Sequence, residues 1–140
     1  MIDNDIVRKL SEITPEEEEI LRGEKSISRD LYMATERNVI NSQKLLEEGK
    51  LITIRPCTRF IHFPSHTHDY IEIVYMCKGK SVHIVNGTRI ELKAGELLFL
   101  GKGAEHENLE AGKDDIGVDF IVLPHFLIHR LQCSGMKTLP

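Results

Sequence analysis

The tetrapeptide Val85-Asn86-Gly87-Thr88 constrains the fold of this chain more than any other stretch. Asn-Gly accepts the two positive φ angles of a type I′ turn, whose twist matches that of the flanking strands. Residues 81–85 and 88–92 are therefore expected to pair as a hairpin. The same texture extends to both sides: 51–54, 60–63, 70–76, 97–100 and 118–123 are short β-rich runs bounded by Gly, Pro, Asn or Asp. Short strands at this spacing predict an all-β sandwich or barrel. The run 71–76 is apolar on both faces, which predicts a central strand.

The flanks read differently. Thr14-Pro15-Glu16-Glu17 combines an N-cap, a proline at the first helical position and a capping-box glutamate, with Gly23 as the stop. Glutamates 16–19 then fall in a first turn, where the helix dipole favours negative charge, and read as a solvated face. Val39, Ile40, Leu45 and Leu46 predict a second helix over 36–48, ended by Gly49. After Pro124, Phe126, Leu127, Ile128 and Leu131 recur at helical spacing and predict a helix over 125–133. Its apolar surface exceeds what packing on the barrel needs, so a homodimer is expected. The chain thus divides into a helical arm (1–50), a β-barrel (51–124) and a C-terminal helix and tail (125–140).

Charge narrows the function classes. A formal net charge of −4 supplies no basic footprint for phosphate backbones, so direct contact with nucleic acid is not expected. No apolar run approaches the roughly 20 residues of a membrane span. The first residues lack a secretory pattern. Cys57, Cys77 and Cys133 show no CxxC spacing and read as reduced thiols. Together these predict a cytoplasmic protein.

Of the seven histidines, His62, His83, His125 and His129 stand alone and read as surface or structural residues. His66, His68 and Glu72 share one parity, so an extended 66–72 would point all three to one face. Imidazoles with a carboxylate suit a divalent transition metal such as zinc, nickel or iron. His106, at the end of the glycine-punctuated run 95–103, is the candidate for a further ligand from another strand. The alternative is a polar pocket lining without metal.

These residues carry a resemblance. His66-x-His68-x3-Glu72-x6-Gly79 resembles the first cupin motif, with Phe60 where its leading glycine usually stands. Gly95-x5-Gly101-x-Gly103-x2-His106 resembles the second, with Gly101 for the usual proline and Glu110 where asparagine is common. The resemblance implies a double-stranded antiparallel β-barrel of jelly-roll type, with His66, His68, Glu72 and His106 at the metal-ligand positions. Thr14-Pro15-Glu16-Glu17-Glu18, Arg59-Phe60, His66 to Glu72, Ile84 to Gly87, Leu92 to Leu97 and Asp114 to Gly117 are similar to the N-terminal sensing domains of AraC-type transcription regulators.

That likeness implies a small-molecule effector, a sugar or organic acid, in the barrel. It also implies dimerisation, and DNA contact only through a C-terminal domain absent from these 140 residues. Arg59, His62 and Tyr70 are then candidate ligand-binding groups. The other reading is a metal-dependent enzyme, an oxygenase or isomerase, with Glu72 or Glu110 as base.

Overall fold

The computed structural model describes residues 3–35 and 37–126. Four short helices and a two-residue strand precede the β-rich region: α1 (Asn4–Leu10), α2 (Pro15–Leu21), α3 (Arg29–Tyr32), β1 (Val39–Ile40) and α4 (Ser42–Leu45). Eight strands follow: β2 (Ile52–Pro56), β3 (Phe63–His68), β4 (Ile71–Lys78), β5 (Lys80–Val85), β6 (Thr88–Lys93), β7 (Leu97–Leu100), β8 (His106–Asn108) and β9 (Ile116–Val122). They form two facing sheets, ordered β1-β3-β8-β5-β6 and β2-β9-β4-β7. All pairings are antiparallel except β1 with β3. The expected jelly-roll arrangement is present, as two sheets rather than one continuous hydrogen-bonded ring among the described residues.

The Asn86-Gly87 turn is as expected, with φ of 46° and 84°. It joins β5 to β6 over six registered pairs, Lys80 with Lys93 through Val85 with Thr88. The run expected as a central strand is β4, hydrogen-bonded between β9 and β7.

At the N-terminus, Thr14 makes the full capping box: its Oγ1 accepts from Glu17 N–H, and Glu17 Oε2 accepts from Thr14 N–H. Two expectations fail nearby. No single helix covers 36–48; the β-branched pair Val39-Ile40 instead extends alongside Thr67 and His68 of β3. Asn41 then restarts the chain as α4 by accepting from Gln43 N–H.

The second failure concerns the glutamate run. Glu17 is buried, and its carboxylate takes Arg59 Nε at 3.0 Å and Arg59 Nη2 at 2.9 Å. Glu16 accepts from the Tyr32 hydroxyl at 2.5 Å. A dipole argument sees only the helix, whereas this helix lies against the β-region with two of its acids turned inward.

Candidate functional site

The interior polar groups come from opposite sheets. On β3, His66 and His68 alternate inward with Phe63, after a bulge between Phe63 and His66. On β8, His106 is the direct cross-strand partner of His66. On β4, Glu72 faces inward with Val74 and Met76. Shared parity along one strand is not what brings these residues together. Residues 66–72 are not one strand; the chain turns at Asp69-Tyr70 and crosses from one sheet to the other. Convergence arises because the two inner faces oppose each other.

The ligand atoms of His68, Glu72 and His106 all lie within 4.8 Å of one another, and this group can hold a metal ion. Glu72 Oε2 is 3.4 Å from His68 Nε2 and 3.2 Å from His106 Nε2. All three atoms are buried without a hydrogen-bond partner. His66 stands beside the group, its ring centroid 4.2 Å from that of His106 and 6.5 Å from that of His68.

The other nitrogen of each ring fixes its tautomer. His66 Nδ1–H donates to the Pro64 carbonyl at 2.7 Å, and His68 Nδ1–H to the Tyr70 carbonyl at 2.6 Å. His106 Nδ1–H donates to Asn108 Oδ1 at 3.3 Å. Burial holds all three imidazoles below the usual histidine range, His66 at about 3. The same burial raises Glu72.

Neutral rings protonated at Nδ1 turn bare Nε2 lone pairs toward a carboxylate oxygen, so acceptors face acceptors. A proton on Glu72 satisfies only one lone pair, whereas a divalent cation satisfies all three atoms.

Beside this cluster lies a cavity that Glu72 lines but His68 and His106 do not. His66, Glu72 and Tyr70 line it, and Tyr70 stacks on His68 with centroids 4.5 Å apart. Arg59 lies elsewhere, buried in the N-terminal junction, where it also donates to the carbonyls of Ser11, Glu12 and Lys113. His62 is half exposed and pairs with Glu107 at 2.7 Å. Glu110, expected as a possible base, is exposed and outside the cavity lining.

Arg55, Cys57, Asn108 and Asp119 also line the cavity, and none of them was offered by the sequence as a site residue. Asn108 Oδ1 accepts from both His106 and His83, and His83 Nε2 in turn accepts from the Ser81 hydroxyl at 2.8 Å. His83 is therefore structural, as expected, but inside the network that orients His106. The available signal was spacing, since Asn108 lies two residues beyond His106 on the same strand face.

The chain is 28% identical over 111 residues to an oxalate-binding protein of Thermotoga maritima, covering 79% of this chain and 88% of that protein. It is 28% identical over 78 residues to the HTH-type transcriptional activator RhaR of Yersinia pseudotuberculosis, covering 56% of this chain and 26% of RhaR. The chain thus spans about a quarter of that activator's length.

Among solved structures, a cupin protein of Bacteroides fragilis superposes with a TM-score of 0.42 at 24% identity, over 54% of this chain and 68% of that one. KdgF from Halomonas gives a TM-score of 0.46 at 16% identity, over 51% and 68%. No helix among the described residues is long and apolar enough to cross a membrane. Residues 48–123, more than half of the chain, match the model of the AraC-like ligand binding domain, and the chain belongs to that family.

Proposed function

We propose that this chain is the effector-sensing and dimerisation domain of a cytoplasmic AraC-type transcription regulator, with a metal-centred pocket that receives a small organic molecule. The observation that carries the reading is the buried, acceptor-only group of His68 Nε2, Glu72 Oε2 and His106 Nε2. A metal bound there would act as a Lewis acid toward an oxygen of the effector. His68, Glu72 and His106 would hold it, with His66 completing the set. The Tyr70 carbonyl and Asn108 keep the rings of His68 and His106 turned inward. DNA contact belongs to a separate domain, consistent with the net charge of −4.

The test is metal content and ligand response together. Protein incubated with zinc, nickel or iron(II) and then desalted is expected to retain about one ion per chain. His68→Ala and Glu72→Gln variants should lose at least about tenfold in affinity, the range seen when a supporting or ligating group is removed. A screen of sugars and small organic acids should raise the thermal midpoint of wild type and leave the His106→Ala midpoint unmoved. Metal-dependent turnover of a hit compound would replace the sensor by a metal-dependent oxygenase or isomerase.

A further inference from the structure

Strand β2 inverts the usual rule for a half-buried strand. Ile52, Ile54 and Pro56 face outward, while Thr53 and Arg55 are the half-buried inward residues. Among the described residues, Arg55 is the only lysine or arginine in the cavity lining.

Its guanidinium lies 5.1 Å from the centroid of the Tyr32 ring. It makes no hydrogen bond or ion pair with any described residue. Asp119 is its direct cross-strand partner in register, yet no ion pair joins them, and Asp119 Oδ1 instead accepts from the Cys57 thiol at 3.1 Å. The five N–H donors of this planar fork border the cavity without a hydrogen bond to a described residue, while the Arg55 charge acts from a distance on the Glu72 and Asp119 carboxyls of the same lining. Aromatic packing on Tyr32 holds one face of the fork, and no hydrogen bond to a described residue engages its donor edge.

We propose that Arg55 anchors an anionic ligand, a small carboxylate, within the cavity that His66 and Glu72 also line. The planar fork matches a carboxylate in a bidentate fashion, which neither a sugar hydroxyl nor a lone water reproduces. Arg55 thereby selects anions over neutral molecules of similar size. This inference rests on the sensor reading above and narrows its effector to one chemical class.

Malonate and its uncharged counterpart malonamide, with a panel of neutral monosaccharides, are titrated calorimetrically into the zinc-loaded chain. The same titrations are run on Arg55→Gln and Arg55→Lys variants, whose circular dichroism verifies folding. Malonate is expected to bind wild type, with malonamide and the sugars silent. Arg55→Gln should weaken malonate about 10- to 100-fold, as removal of hydrogen bonds to a charged group does, and Arg55→Lys should recover part of that loss.

Equal malonate affinity in wild type and Arg55→Gln would overturn the role of Arg55. Binding of a sugar without malonate would overturn the carboxylate class while leaving the sensor intact. Silence of every probe would remove the sensor reading and this inference with it.

Discussion

Phe60 has a φ of 70°, in the left-handed region that glycine occupies at little cost and other residues at about 1–2 kcal/mol. It stands where the cupin motif usually has glycine, the residue that suits this conformation. The ring offsets the strain by packing partly buried against the main core and beneath the Arg59 guanidinium at 5.1 Å. Comparing Phe60→Gly with Phe60→Ala removes the ring from both and isolates the backbone. The glycine variant should be the more stable by about 1 kcal/mol in urea unfolding, reversing the usual order. Equal or opposite stability would mean that residue 60 is not in this conformation.

Asp119 makes the second residue-scale case. Burial lifts its carboxyl to about 7, with the nearby Glu72 charge adding to the effect. A carboxyl raised in the folded state contributes stability that is present below its unfolded pKa and lost as pH rises through about 7. Asp119→Asn should therefore gain on wild type as pH rises from about 4 to about 7, at roughly 1 kcal/mol per unit. A constant difference between the two proteins across that range would contradict the shift.

At the scale of elements, the junction between α2 and the β-region depends on one ion pair. Glu17 and Arg59 side chains are 1% and 3% exposed, and Arg59 N–H also donates to Glu17 Oε1 at 3.1 Å. Breaking a buried pair leaves one charge without a partner, which typically costs about 3–5 kcal/mol. Glu17→Leu and Arg59→Met should each lower stability by that order, and the Glu17→Leu/Arg59→Met double variant should recover part of it. Losses that simply add in a double-mutant cycle would show that the two side chains are not coupled. The arm thus docks through a charge that the helix's own sequence presents as solvent-facing.

For the molecule as a whole, the inverted pattern of β2 continues across its sheet. Ile54, Phe120, Ile73 and Phe99 stand in one register row over β2, β9, β4 and β7, all on the outer face. Ile54 is 57% exposed and Phe99 66%. A contiguous apolar row on an open sheet face suits a second copy of the chain meeting it two-fold. Ile54→Asp and Phe99→Asp should each shift sedimentation toward monomer. A wild type that is monomeric at high concentration would remove the dimer.

Acid sensitivity also belongs to the whole. His66, His68, His83 and His106 are all held below the usual histidine range, chiefly by burial. The unfolded chain takes up those protons near 6.5 while the folded chain does not, so stability falls as pH drops below about 6.5. The raised carboxyls of Glu72 and Asp119 oppose this, but the imidazoles outnumber them. Metal-free protein should lose stability between pH 7 and 5 in chemical denaturation, and a flat profile would place these rings in water.

What the sequence by itself determined was local or strictly periodic. The Asn86-Gly87 turn, the Thr14 capping box and the β4 strand follow from φ preferences, short-range hydrogen bonds and alternation, all written within a few residues. His68, Glu72 and His106 were legible through their spacing and its family resemblance. What only the tertiary structure decided depends on partners distant in the chain. Val39-Ile40 becomes a strand because β3 offers an open edge, and Glu17 turns inward because Arg59 waits 42 residues away. Arg59, offered by sequence as a pocket group, is consumed by that partnership. Arg55 takes its place in the cavity wall because strand alternation sets which side chains share a face. Only the packing of two sheets sets which face is inside.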